Sequence, residues 1–193
     1  LDVVAIFGKY DDGATSSADA GISAYNTFVQ EMKRELGSVT TEPAQIPQSP
    51  GVGTPDISFH ATLADGRRVE VVALLVDNVR TAGVTFDERY EALSGDADMV
   101  FYNGHAGLGA NIRALANKGK FIPGQYQIFF MNGCDTFAYV DDQLLESHAA
   151  INEDDPIGTR YVDMVTNVMP SFFSSMPHAS MAMIEGLLSY GQP

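Results

Sequence analysis

The chain has 193 residues, is 45% hydrophobic and carries a formal net charge of −14. That is the composition of a globular protein able to bury a core. It argues against nucleic acid and anionic membrane surfaces as partners, since both are bound largely through Lys and Arg.

No run approaches the ~18 apolar residues needed to span a bilayer. One cysteine leaves no intrachain disulfide and no thiolate zinc site, and it does not fix the compartment. No signal peptide is evident, and the opening Leu1 rather than Met implies a preceding segment whose address is not visible. The length fits a single domain over residues 1–193.

In chain order, the β-branched run Val3–Phe7 predicts a first strand stopped by Gly8. Ser17 or Asp19 is placed to cap a helix ending near Leu36, with Ile22, Tyr25, Phe28, Val29 and Met32 at helical spacing. Residues 38–56 contain four prolines and two glycines, Gly51 and Gly53, and read as an exposed, mobile loop. Asp65-Gly66 between residues 57–63 and 68–76 is a hairpin signal. The second arm loses its polar alternation after Glu70, so its later half should be buried on both faces.

A helix over 86–93 leads to a strand at Met99, and a helix over 110–118 leads to a strand at Ile128. A helix over 136–148, an acidic loop at 152–156, a strand over 161–168 and a helix over 178–188 complete the pattern. Alternating strands and helices give an α/β sandwich with a mostly parallel sheet and one β-hairpin.

Two segments end alike. Asp98–Tyr102 runs into Asn103-Gly104-His105, and Tyr126–Met131 runs into Asn132-Gly133-Cys134. Parallel strands deliver their C-terminal ends to one edge of the sheet, where ligands bind. His105 and Cys134 should therefore emerge side by side, as base and nucleophile. A thiol is a weak nucleophile until deprotonated, and an adjacent imidazole both activates it and returns a proton to the leaving group. Small residues beside such a pair, here Ala106, Gly107 and Gly133, leave main-chain N–H groups free to stabilise an oxyanion. The plain alternative is a buried structural cysteine and a structural histidine.

An apolar strand ending in His followed closely by Gly, then a second ending in a small residue and Cys, resembles the caspase-like cysteine peptidases, which include caspases, gingipains, clostripain and legumains. The resemblance is carried by Met99–Gly107 and Gln127–Asp135. It implies a caspase-like three-layer sandwich. It also implies a cysteine endopeptidase acting through a thioester, with His105 as base and acid, Cys134 as nucleophile, and the N–H groups of Ala106 or Gly107 and of Cys134 as oxyanion donors. The substrate would be a peptide or protein.

Two features depart from that pattern. Ala106 separates His105 from Gly107, and Asp135-Thr136 follows Cys134, which removes any basis for a caspase-type preference for Asp. By the same resemblance a substrate pocket would involve Asp135, Met169, Ser171 and Phe172, with Asp154 and Asp155 as neighbours. Carboxylates there favour a basic P1 side chain, which is the preference of gingipain-like and clostripain-like members and the one the resemblance implies, whereas a pocket walled by Met169 and Phe172 would favour an apolar one. The other readings of this chain are an inactive caspase-like binding module and a non-peptidase acyl-transfer enzyme.

Gly104, Gly107 and Gly109 do not fit the dinucleotide fingerprint. The acidic pairs at 11–12, 141–142 and 154–155 read as solvated surface. Calcium occurs in several peptidases of the resembled group, but no loop matches a calcium motif, so no metal or cofactor is expected. His60, His148 and His178 read as ordinary surface or core positions.

Overall fold

The structure, a computed structural model, describes residues 1–189. A seven-stranded sheet of order β2-β3-β4-β1-β5-β6-β7 forms the middle of three layers. Its strands are β1 (Asp2–Gly8), β2 (Val39–Glu42), β3 (Asp56–Thr62), β4 (Arg68–Val76), β5 (Met99–Asn103), β6 (Gln127–Asn132) and β7 (Val162–Thr166). Strands β4, β1, β5, β6 and β7 are mutually parallel, and β2 and β3 add an antiparallel margin. The hairpin at Asp65-Gly66 joins β3 to β4 as expected, and Val71–Val76 is buried throughout.

Helices cover both faces. Val3, Ala5 and Phe7 of β1 point to one side, where they pack with α1 (Ala20–Leu36) and α6 (Met176–Ser189). Val4 and Ile6 point to the other, toward α2 (Val84–Ser94), α3 (Ala110–Lys118) and α5 (Gln143–Ala149). This alternation is the period-two geometry of a strand with cover on both sides, which is why the central strands lack polar alternation. On α1, Phe28, Val29 and Met32 are wholly buried, each contributing on the order of 1.5–3 kcal/mol. Among the described residues no helix is long and apolar enough to cross a membrane.

Three expectations need correction. Residues 38–56 are not loop throughout: β2 pairs with β3 at the sheet edge, and Pro43 ends it because proline has no N–H to donate. The remainder is tied to α1, with Asn26 Oδ1 accepting from Gly51 N at 2.8 Å and the Tyr25 hydroxyl donating to Thr54 O at 2.7 Å. Most of its side chains are nonetheless exposed.

The single helix expected over 136–148 is two, α4 (Thr136–Tyr139) and α5, separated by an extended Val140. Asp141 starts the second by accepting from Gln143 N, a local bond that competes with helix continuation. Finally, Asp155 is buried rather than solvated. Its carboxylate accepts from the N–H groups of Gly158, Thr159 and Arg160 within its own loop.

The cap of α1 also orders the loop after β1. Asp19 accepts from Ile22 N at 2.9 Å, and additionally from Tyr10 N and Asp11 N at 3.1 and 2.8 Å. Burial raises its pKa, but these N–H bonds outweigh that and hold the carboxyl below its ordinary 3.8. A depressed folded pKa means that the carboxylate's contribution is complete above about pH 4 and lost as pH falls through the lower folded value. Asp19→Ala should therefore lower stability by about 1 kcal/mol or more near neutrality. Denaturant titrations of the two proteins should converge as the pH is lowered past that range.

Candidate active site

β5 and β6 deliver their matching ends to one edge of the sheet. Asn103 stands opposite Asn132 in the parallel register, both are buried, and Asn132 Nδ2 donates to Asn103 Oδ1 at 2.9 Å. His105 and Cys134 each lie two residues beyond this rung, and both are exposed. The two loops touch at Gly133. A Cβ at this position would stand 2.7 Å from the Gly104 carbonyl oxygen and 3.3 Å from the Ala106 nitrogen, so a side chain would drive the loops apart.

The turn carrying His105 is fixed from below. Its carbonyl accepts from the Tyr102 hydroxyl at 2.8 Å and from Asn111 Nδ2 at 2.6 Å, and the same amide donates to Tyr102 Oη. Burial pushes the Tyr102 phenol well above its usual range, so it stays protonated and can donate. From the side, the imidazole packs in a triangle with two aromatic rings, its centroid 5.0 Å from that of Tyr10 and 5.1 Å from that of Phe173, which are 5.5 Å from each other. His105 Nε2 is 3.1 Å from the Tyr10 carbonyl oxygen, a contact that requires the hydrogen to be on Nε2. Asp19 thus reaches the imidazole through the Tyr10 main chain.

The Cys134 thiol donates to the Ser171 carbonyl at 3.4 Å. His105 and Cys134 are therefore each engaged by a main-chain carbonyl and not by one another. The main-chain N–H groups of Ala106 and Cys134 have no acceptor among the described residues, whereas that of Gly133 donates to Met131 O. Gly133 contributes close approach, and the free donors are its neighbours.

Two residues bracket the site in a left-handed backbone conformation, Leu108 at φ 53° and Asp135 at φ 49°. They are the non-glycine residues with positive φ among those described. Each such residue costs on the order of 1–3 kcal/mol and persists only where its surroundings dictate it. One follows His105 by three positions, and the other follows Cys134 directly.

Of the pocket residues expected from sequence, Asp135, Met169 and Ser171 gather beside Cys134, with Asp135 N donating to Met169 O. Phe172 shares that segment and, like Met169, is about 70% exposed. Leu108 and Phe137, also exposed, extend an apolar rim along the ends of β5, β6 and β7. Asp154 and Asp155 are not neighbours of the thiol in any functional sense. Asp154 pairs with Arg160 and Tyr161, and Asp155 is consumed by its own loop.

The residues missed from sequence are Tyr10, Asn111 and Asn167. Tyr10 and Asn167 have partners distant in the chain, and Asn111, whose partners Tyr102 and His105 are close in sequence, carries no motif that marks it. A cavity of about 370 Å³ opens beside His105, between Asp11, Asp12, Asp77 and Asn111. A larger cavity, about 1170 Å³, lies at the opposite edge of the sheet, around Asp2, Thr62 and Arg68, away from both reactive side chains. Among the described residues no group of three His, Cys, Asp or Glu side chains could hold a metal ion.

Compared with known proteins, the chain matches no protein-family model and no curated sequence.

Gly133→Ala should destabilise the protein by roughly 1–3 kcal/mol, the range for forcing a methyl into a packed site. Equilibrium unfolding in urea measures this, and the same change at Gly124, where a Cβ would meet nothing within 4 Å, separates steric from backbone effects. Gly124→Ala should lose stability only through its φ of 79°, whereas Gly133→Ala, at a residue whose φ is not positive, carries the clash alone.

Proposed function

We propose that this protein is a cysteine endopeptidase of caspase-like type, with Cys134 as nucleophile and His105 as its proton-transfer partner. The observation that carries this reading is the register of β5 on β6. It sets an exposed imidazole and an exposed thiol equally far beyond one buried rung, on adjacent parallel strands. Further support comes from the two free main-chain N–H groups, at Ala106 and Cys134, and from the backbone strain at Leu108 and Asp135.

The chemistry follows. The Cys134 thiol loses its proton to His105, and the thiolate adds to the carbonyl carbon of the scissile peptide bond. The negative charge on the former carbonyl oxygen is met by main-chain N–H donors. Collapse breaks the C–N bond, and His105 returns the proton to the departing amine. Water, deprotonated by His105, then attacks the thioester and releases the acid with restoration of the thiol. At rest the imidazole is engaged by the Tyr10 carbonyl and the thiol by the Ser171 carbonyl, and each must turn from it before the two meet. Catalytic contacts commonly tighten only when substrate is bound.

The exposed apolar rim of Leu108, Phe137, Met169 and Phe172 favours peptides with hydrophobic side chains flanking the cleaved bond. Asp135, half-buried beside the thiol, is the carboxylate left to select a basic one.

Cys134→Ala and His105→Ala should each reduce hydrolysis of fluorogenic peptides to background. Because both side chains are exposed, Tm should stay within a few degrees of the parent. A Cys134→Ala penalty above about 2 kcal/mol, the size of a core truncation, would make the residue structural. Substrates differing only at P1 should turn over fastest with Leu. Fastest turnover on Arg or Lys would instead assign selection to Asp135.

A further inference from the structure

Beneath Cys134 lies a polar cluster for which the proton transfers above have no use. Asn132 Oδ1 accepts from Ser171 Oγ at 2.8 Å and from Asn167 Nδ2 at 2.9 Å. Asn167 Nδ2 also reaches the Gly133 carbonyl at 3.1 Å. On the other side, Asn132 Nδ2 and Ser180 Oγ both donate to Asn103 Oδ1, at 2.9 and 3.0 Å. Asn103 Nδ2 is buried without a partner, so the cluster is not simply a fully satisfied core.

Ser171 is the outlet of this cluster. Its hydroxyl is held by Asn132, and its carbonyl accepts the Cys134 S–H. A chain of bonds therefore runs from Asn103, on the strand bearing His105, to the thiol. The S–H···O=C contact turns the thiol hydrogen to this segment and not to His105.

We propose that Ser171, held by Asn132, is a positioning residue that keeps the Cys134 thiol turned toward the segment after β7, out of reach of His105, until a substrate displaces that segment. The proposal rests on Cys134 being the nucleophile. The segment from Asn167 to Ser175 and helix α4 bring no charged side chain to the thiol. The titratable groups on its other sides are His105 and Asp135, with Lys9, Tyr10, Asp11, Asp12, Asp77 and Arg80 lining the cavity beside His105. None of these changes when Ser171 is altered.

The test is the pH profile of Cys134 alkylation by iodoacetamide in the full chain. Ser171→Ala removes the hydroxyl from a half-buried loop position. It should lower the midpoint of the profile and raise the rate at neutral pH several-fold. Ser171→Gly should do the same, and Ser171→Thr, which keeps the hydroxyl, should restore the parent profile. An unchanged midpoint in Ser171→Ala overturns the proposal, whether the rate stays the same or rises equally at every pH, as it would from local opening. His105→Ala is the separate arm. If it leaves the parent profile unmoved, the paired-residue chemistry fails, while the Ser171 comparison still reads the hold on the thiol directly.

Discussion

Two asparagine side chains, shielded from water and 2.9 Å apart, join the end of β5 to the end of β6. A buried amide without partners costs roughly 1–3 kcal/mol, so the pairing fixes the relative height of the two strands. A slip of one residue would separate the amides and turn every side chain of one strand to the opposite face. His105 and Cys134 inherit their common height from that rung. The Asn-Gly repeats in the sequence are thus two halves of one clamp: asparagine sets the register, and Gly133 lets the following loops approach at the Gly104 carbonyl.

Four loops meet above the clamp, and each uses its main chain. The loop after β1 offers the Tyr10 carbonyl to the imidazole, anchored by the Asp19 carboxylate that also caps α1. The segment after β7 offers the Ser171 carbonyl to the thiol and lays Phe173 against His105. The loops of His105 and Cys134 absorb the strain at Leu108 and Asp135. Core packing on both faces of the sheet makes these geometries persist. β5 is buried throughout and β1 and β6 at all but one residue each, and α1 and α6 on one side and α2, α3 and α5 on the other leave them no room to shift.

Much of the scaffold was legible because it is written in local chemistry. Apolar runs gave β1, β4, β5 and β6, Asp65-Gly66 gave the hairpin, and helical spacing with the Asp19 cap gave α1 within a residue or two. The repeat pointed to His105 and Cys134 together because parallel strands share an exit edge. Features resting on distant partners were not legible. β2 is four polar or half-exposed residues whose only argument for being a strand is the β3 edge. The break between α4 and α5 depends on Asp141 serving its own backbone and Arg113 at once. Tyr10 contacts His105 across 95 positions of sequence. Asp155 looks like solvated charge in a run of acids, and only the fold of its loop turns three N–H groups onto it.

The proposed covalent chemistry predicts a species that can be weighed. A peptidyl chloromethyl ketone with a hydrophobic P1 residue should add once to the folded protein. Intact-mass and peptide mapping should locate the adduct on Cys134, and the rate should fall by orders of magnitude in His105→Ala. Labelling of Cys134 at the same rate with and without His105, or no labelling until the protein is unfolded, would contradict a nucleophile activated by that imidazole.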